Sequence, residues 1–310
     1  MKIAILTHKP RSIDIDKLFI SLRNEFIAAS ICSEADFLII DVPKSDCKKL
    51  KPFIKNNNLQ EVDVVILDIP FKYLYKQSRQ VNKLKKIWIY EEDACQNFLP
   101  HSKWYKKFSQ FYKKLNNASI ISTGNFVSQR MNELGYACHF LPKGFNSNTL
   151  YQLDSAIRNI PLGFIGTLHS NVYIERKKTL ETLSEKLGLQ CFRTQSIDEY
   201  RDKLNDMKIF FSADIGLEEY MCKNFEAMAC GCVLVAYRQG NGEEEALGLK
   251  DMENCVLYSS IEEAITKIQA LLSNDQQLET ISTAGREHAL QNFDYTKLGK
   301  QLTHIMQRGF

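Results

Sequence analysis

Two glutamates eight positions apart, Glu218 and Glu226, frame the stretch of this sequence best suited to chemistry. The segment Phe211–Val235 reads as a strand, a polar loop, a short helix of small residues (Ala227, Met228, Ala229), a glycine stop at Gly231 and a second buried strand. That reading puts Glu226 in the first turn of the helix, where a carboxylate can accept hydrogen bonds from ribose hydroxyls. The preceding residues Tyr220–Asn224 present helix-start amides, and these, with the positive end of the helix dipole, suit a pyrophosphate. Lys223 adds a mobile point charge. Asn224 and Phe225 join the same donor-binding set.

A second constellation lies upstream. Gly163-Phe164-Ile165-Gly166-Thr167-Leu168-His169 reads as a strand ending in glycine, where a ligand can approach the backbone closely. Gly166 and Thr167 are therefore candidates for donor contact. Arg176, with Lys177 and Lys178, opens the next helix, and its guanidinium can grip a phosphate through two parallel hydrogen bonds. Arg193 and Thr194 follow another strand and are placed near the base of a nucleotide. His101, His169, His288 and His304 have no ligand spacing, so no metal or other cofactor is expected.

Positioning these groups takes strands that end together. Short apolar runs alternate with amphipathic stretches along the whole chain. In the first half the strands are Ile3–Leu6, Phe37–Ile40, Val64–Leu67, Ile87–Tyr90, Ser119–Ser122 and His139–Leu141. In the second half they are Leu162–Ile165, Gln190–Phe192, Ile209–Ser212 and Val233–Tyr237. They are apolar on consecutive residues, as parallel strands covered on both faces are. Helices are expected over Phe126–Leu134, Ile261–Leu272 with Ser260 and Glu263 as a capping box, and Thr296–Gln307. The pattern predicts an α/β chain of two doubly wound, Rossmann-like domains facing across a cleft. The boundaries are residues 1–145, then 146–295, then a final helix over 296–310. Ligands of such sheets bind beyond the carboxyl ends of the strands.

By that rule the N-terminal domain presents Thr7, His8, Lys9, Arg11, Asp68, Glu91, Glu92, Asp93 and Thr123. His8, Lys9, Glu91 and Glu92 are the candidate acceptor contacts. One of the carboxylates could serve as a general base. The stretch Lys103–Lys114 interleaves Trp104, Tyr105, Phe108, Phe111 and Tyr112 with lysines. Its aromatic residues at helical spacing suit a core, and its edge suits a membrane surface.

Composition bounds the rest. The chain has 310 residues, 44% hydrophobic and 25% charged, ordinary for a globular protein of about two domains. Residues 1–150 carry 23 lysines and arginines against 14 acids, and the remainder 17 against 23. A basic half suits an anionic membrane surface or acceptor. No recognised nucleic-acid motif accompanies the charge, so nucleic acid is not an expected partner. Nine cysteines without a C-x-x-C pair point to buried thiols in a reducing cytoplasm.

Several of these segments resemble one known family. Glu218 and Glu226 stand in the E-x7-E spacing of retaining GT-B transferases, and Asn224-Phe225-Glu226-Ala227-Met228-Ala229-Cys230-Gly231 is similar to the signature of glycosyltransferase family 4. Gly242-Glu243-Glu244-Glu245, Glu253–Tyr258, and Gly285-Arg286-Glu287-His288 with Phe293-Asp294-Tyr295 follow in the family's order. The resemblance is strong over about residues 160–300 and weaker over 118–150. It implies that Glu218 lies beside the sugar hydroxyls, Glu226 binds the ribose, and Lys223 meets the phosphates. It also implies a last helix that crosses back to the N-terminal domain. Thr167 departs from the family, which carries an arginine there, and the N-terminal half lacks the family's Gly-Gly loop and its histidine after the fourth strand.

The expectation is a cytoplasmic glycosyltransferase, peripheral on the inner face of the cytoplasmic membrane. It would move sugar from a nucleotide-sugar to a glycan or glycolipid in bacterial envelope polysaccharide synthesis, with retention and without a metal. Glu218, Lys223 and Arg176 are its catalytic set. Two other readings fit the same residues: a nucleotide-sugar epimerase on this fold, and a non-catalytic nucleotide-sugar-binding protein. A peripheral membrane scaffold would leave the Glu pair unexplained.

Overall fold

A computed structural model describes residues 2–8, 37–154, 157–168 and 175–308. Lys9, Arg11 and His169 lie outside the described residues. The chain divides into two compact units, Met1–Pro142 with Tyr295–Phe310, and Lys143–Asp294.

The first unit is built on six parallel strands: β1 (Ile3–His8), β2 (Phe37–Val42), β3 (Val64–Asp68), β4 (Ile87–Glu91), β5 (Ala118–Ser122) and β6 (Ala137–Phe140). Their order in the sheet is β2-β1-β3-β4-β5-β6. Alternate residues serve opposite faces, as the pleat requires. Ala4, Leu6, Val65, Leu67, Ile87 and Ile89 meet the helices of one layer, which includes Phe108, Phe111 and Val127. Ile3, Ile5, Val64, Ile66, Trp88 and Tyr90 meet Tyr295, Leu298, Leu302 and Met306 on the other face. Those four residues form one stripe of the last helix, Tyr295–Gln307, which therefore belongs to this unit. β6 begins two residues earlier than expected. Gly135 turns the chain at φ 87°, and the Tyr136 N–H returns to the Met131 carbonyl, so the strand starts at once.

The second unit repeats the plan with five parallel strands: β7 (Ile160–Ile165), β8 (Gln190–Phe192), β9 (Met207–Phe211), β10 (Val233–Tyr237) and β11 (Val256–Tyr258), in the order β11-β10-β9-β7-β8. β11 is a three-residue strand, too short to stand out as an apolar run. In each sheet the first strand lies inside, with its successor on one side and the third strand on the other. Such a reversal parts the loops above the sheet and opens a crevice at the strands' carboxyl ends. The crevices lie between β1 and β3 in one unit and between β7 and β9 in the other. Phe145 pins the start of the second unit to its end, through a 3.0 Å bond from its N–H to the Phe293 carbonyl.

Candidate functional site

At the β7–β9 reversal three elements meet. β7 ends at Ile165, and Gly166 follows. Helix Cys222–Ala229 comes in from the far side of β9 and sends Lys223 across, its Nζ donating to the Ile165 carbonyl at 2.8 Å. A Cβ at position 166 would lie 2.9 Å from that Nζ and 2.9 Å from the Phe164 ring, so the glycine lets the lysine and the ring close in on the turn without shifting. At the end of β8, exposed Arg193 donates to the Thr167 hydroxyl, and half-buried Thr194 adjoins it. Two cations thus converge on the Gly166-Thr167 turn. The helix is stopped by a Schellman turn at Gly231 (φ 76°), with Gly231 N–H to Met228 O at 2.9 Å and Cys232 N–H to Ala227 O at 3.0 Å. Glu226 is the fifth residue of this helix and not in its first turn, because the helix begins at Cys222. Its carboxylate is nearly buried and accepts the Tyr200 hydroxyl at 2.7 Å. Burial, then the charge of Glu226, holds the Tyr200 phenol well above its usual range, so it remains a donor.

Glu218 sits in the loop that follows β9, with its backbone in the left-handed region at φ 59°. One side chain holds that loop. Gln239 Oε1 accepts the N–H groups of Leu217 (3.1 Å) and Glu218 (3.0 Å), and its Nε2 donates to the Asp214 carbonyl at 2.6 Å. Gln239 is fixed in turn: Glu244 takes its N–H at 2.7 Å and the Tyr220 hydroxyl at 2.6 Å, and also accepts from Gly240 N–H. Burial and then the Glu244 hydrogen bond push the Tyr220 phenol far up. Buried Glu219 accepts from Lys143 at 2.9 Å. Glu218 therefore lies between two residues locked from below.

In the first unit, Thr7 donates to Asp68 at 2.6 Å across the β1–β3 reversal. His8 is buried at the end of β1, its Nδ1 3.2 Å from the Val42 carbonyl and 3.3 Å from the Cys47 sulfur. A carbonyl only accepts, so Nδ1 donates there. Glu91 follows Ile87 and Ile89 on the helix-facing side of β4. One of its oxygens accepts the Asp93 N–H at 3.1 Å, and the other faces the Tyr112 hydroxyl at 3.5 Å. Burial and then the charge of Glu91 raise the Tyr112 phenol well above normal.

A family model described as glycosyl transferase-like matches residues 176–304, from the first helix after β7 into the last helix. The whole chain is similar in fold to solved structures. Anabaena HepE in complex with UDP gives a TM-score of 0.71 at 14% identity, with 99% of this chain and 100% of that one covered. Sucrose-phosphate synthase from Thermosynechococcus elongatus gives 0.69 at 12%, covering 100% and 99%. A glycosyltransferase from Rickettsia africae gives 0.61 at 16%, covering 99% and 98%. The chain has the GT-B fold, and its second half resembles glycosyl transferases. Comparison with curated protein sequences gives no match.

Within this fold the expected residues separate into groups. Lys223, Gly166, Thr167 and Arg193 come together, with Glu226 on the same helix as Lys223. Arg176 departs from its expected place in the phosphate grip. It is buried, ion-paired with Asp214, and bonded to the Thr167 carbonyl at 3.1 Å and the Ala213 carbonyl at 3.4 Å. A guanidinium so engaged braces the ends of β7 and β9, and its charge is already met by the Asp214 carboxylate. Phe225 also departs: its fully buried ring packs on Phe293 at 4.0 Å, so it is core and not a donor contact. Asn224 is 1% exposed, and its carboxamide has no hydrogen-bond partner among the described residues. Glu91 is engaged by Tyr112 and its own loop, whereas Glu92 is half-buried. Gln239 and Tyr200 escaped the sequence reading, Glu244 entered it only as part of a family stretch, and Tyr220 only as the start of the loop of helix-start amides. Among the described residues no cluster of His, Cys, Asp and Glu has metal-site geometry.

Proposed function

We propose that the enzyme transfers a sugar from a nucleotide-sugar to a glycan or glycolipid acceptor, with retention, in bacterial envelope polysaccharide synthesis. The observation that carries the donor half is the convergence of Lys223 and Arg193 on the Gly166-Thr167 turn, with Lys223 on the first turn of a helix that has no side-chain cap. As the glycosidic bond breaks, negative charge grows on the diphosphate. Two fixed cations and oriented amides stabilise that charge and do the work a metal does elsewhere. In this reading Glu226, oriented by Tyr200, accepts from the ribose, and Glu218 holds the sugar. The departing phosphate takes the acceptor's proton, and the acceptor oxygen bonds to the carbon that the phosphate leaves. Retention is supported by the E-x7-E resemblance. His8 Nε2 and Glu92, at the carboxyl edge of the other sheet, are the acceptor contacts.

HepE has been solved with UDP and with UDP-glucose, which makes uridine donors the first to try. Nucleoside diphosphates and their sugars are screened by thermal shift. A true donor at a hundred times its Kd adds about 2.7 kcal/mol of stability, a rise in Tm of several degrees. Lys223→Ala should slow transfer by about a hundredfold, the cost of losing one preorganised charge at the leaving group. No stabilisation by any nucleotide, or unchanged turnover in Lys223→Ala, overturns the reading.

A further inference from the structure

The first unit carries a cationic face that the donor chemistry does not use. From Ile69 to Tyr90 and from Ala94 to Asn132 the sequence has six lysines or arginines in each stretch and no aspartate or glutamate. The fold joins the two. The rings of Phe71 and Phe108 stack at 3.7 Å, and Trp104 stands edge-on to Phe71 at 5.3 Å and to Tyr75 at 5.1 Å. Helices Phe71–Leu74 and Lys107–Tyr112 thus share an aromatic spine. Exposed lysines lie over its outer rings: Lys76 over Tyr75 at 5.4 Å, Lys103 and Lys107 over Trp104 at 5.3 Å, and Lys106 over Tyr105 at 5.0 Å. A groove of 320 Å³ runs among Tyr75, Lys76, Lys107, Gln110, Phe111 and Lys114. Among the described residues none of these lysines has a carboxylate partner.

We propose that this face docks the enzyme on an anionic phospholipid bilayer. A lysine whose stem lies along a ring keeps its ammonium outward, with donors for phosphate oxygens. Tyr105 and half-buried Trp104 are the amphipathic rings that settle at headgroup depth. Such a face has the charge a bilayer of acidic lipid lacks. Nucleic acid suits it less well. The cations around the groove are point-charge lysines, not arginine forks, and Trp104 already carries two lysines and two ring edges, so a base has no open face to stack on. The face also reaches the edge of the sheet where the acceptor is proposed. Lys72 lies over Tyr73 at 5.0 Å, and Tyr73 stands edge-to-face with His8 at 5.2 Å. Docking there brings a lipid-linked acceptor to the enzyme's own half of the chemistry, a purpose that rests on the function proposed above, although the docking itself does not.

The full chain is sedimented with vesicles of phosphatidylcholine alone and with vesicles in which a third of the lipid is phosphatidylglycerol. Binding is expected only to the second, weakening as salt shortens the Debye length to about 8 Å at 0.15 M. The Lys76→Ala/Lys107→Ala/Lys114→Ala variant should lose about a hundredfold in partitioning, at roughly fivefold per lysine. A charge-matched control, Lys186→Ala/Lys208→Ala/Lys250→Ala, should lose far less. If the first variant melts early, Lys103→Ala/Lys106→Ala replaces it. Equal binding to neutral vesicles, equal losses in variant and control, or displacement from vesicles by duplex DNA overturns the inference. Stabilisation by UDP-glucose is read on the same samples. A chain that sediments with acidic vesicles but binds no nucleotide-sugar keeps this inference and loses the donor reading.

Discussion

Gln239→Ala removes the side chain that shapes the Glu218 loop without touching Glu218 itself. The wild-type amide makes three bonds to backbone groups of residues 214–218, at 3.1, 3.0 and 2.6 Å, and the residue is 9% exposed. Each such bond contributes about 1 kcal/mol net, so the loop loses about 3 kcal/mol of the preference for its native shape. That shape is costly on its own account, because a non-glycine residue in the left-handed region is worse by about 1–2 kcal/mol, and Glu218 sits at φ 59°. Without the clamp the loop relaxes and the glutamate leaves the position from which it is proposed to hold the sugar. At 1.36 kcal/mol per decade, kcat/KM should fall by about a hundredfold. Lys223 and Glu226 are held by other partners, Ile165 and Tyr200, so affinity for the nucleoside diphosphate alone should change by less than about threefold. Release of nucleoside diphosphate reports turnover, and calorimetry reports binding. Gln239→Glu keeps the acceptor oxygen but turns the donor to the Asp214 carbonyl into a second acceptor, and should fall between the two. If Gln239→Ala turns over within about threefold of the parent, the loop does not need the clamp. If nucleotide affinity drops as far as turnover, the network serves the nucleotide and not the sugar.

Tyr200→Phe deletes the bond that orients Glu226. A hydrogen bond to a charged group is worth about 1.5–3 kcal/mol, so nucleotide Kd should rise by about tenfold or more. Titration calorimetry checks it, and an unchanged Kd removes Glu226 from the nucleotide site. The Tyr200 phenol is held well above its usual range, so the difference between the two proteins should stay constant from about pH 6 to about pH 8. Lys143→Met removes the ammonium that pairs at 2.9 Å with Glu219, a carboxylate that is 0% exposed. Breaking a buried pair from one side costs about 3–5 kcal/mol, a fall in Tm of about 10 °C for a unit of this size. Lys143→Met/Glu219→Gln should recover most of it. A single variant that melts with the parent refutes the burial argument.

The fold was legible where a run of apolar residues is bounded by turns. β8, β10 and helix Ile261–Leu272 begin and end where the pattern puts them, and Ser260 accepts the Glu263 N–H as a capping box requires. Strand order was not legible, because every parallel strand buried on both faces looks alike in sequence. In the site, Glu218, Lys223 and Glu226 could be singled out because they are local to one segment. Their supports could not. Gln239 lies 21 positions from Glu218, and Tyr200 lies 26 from Glu226. A glutamine after a strand or a tyrosine on a helix carries no periodic mark of its partner. Arg176 was misjudged for the same reason. A helix-start arginine near a glycine turn suits a phosphate until the fold sets Asp214, 38 positions on, against it.

The shifted start of helix Cys222–Ala229 has a different cause, and it bears on function. Three other helices of the second unit open on a capping side chain: Ser196, Ser260 and Asn274 each accept the N–H of the third helical residue. Helix Cys222–Ala229 opens on Met221, which has no side chain able to cap. With no start signal in the sequence, its first turn could only be guessed, and Glu226 was placed one turn too early. A serine or aspartate at 221 would fix the start and stabilise the helix by about 1 kcal/mol. It would also spend an N–H group, and an aspartate would set a negative charge, where the proposed diphosphate needs donors and positive potential. Methionine leaves that end without a side-chain cap, while Lys223, anchored on Ile165, brings a cation to it. The missing cap that hid the helix boundary is the condition under which its amino end can take an anion.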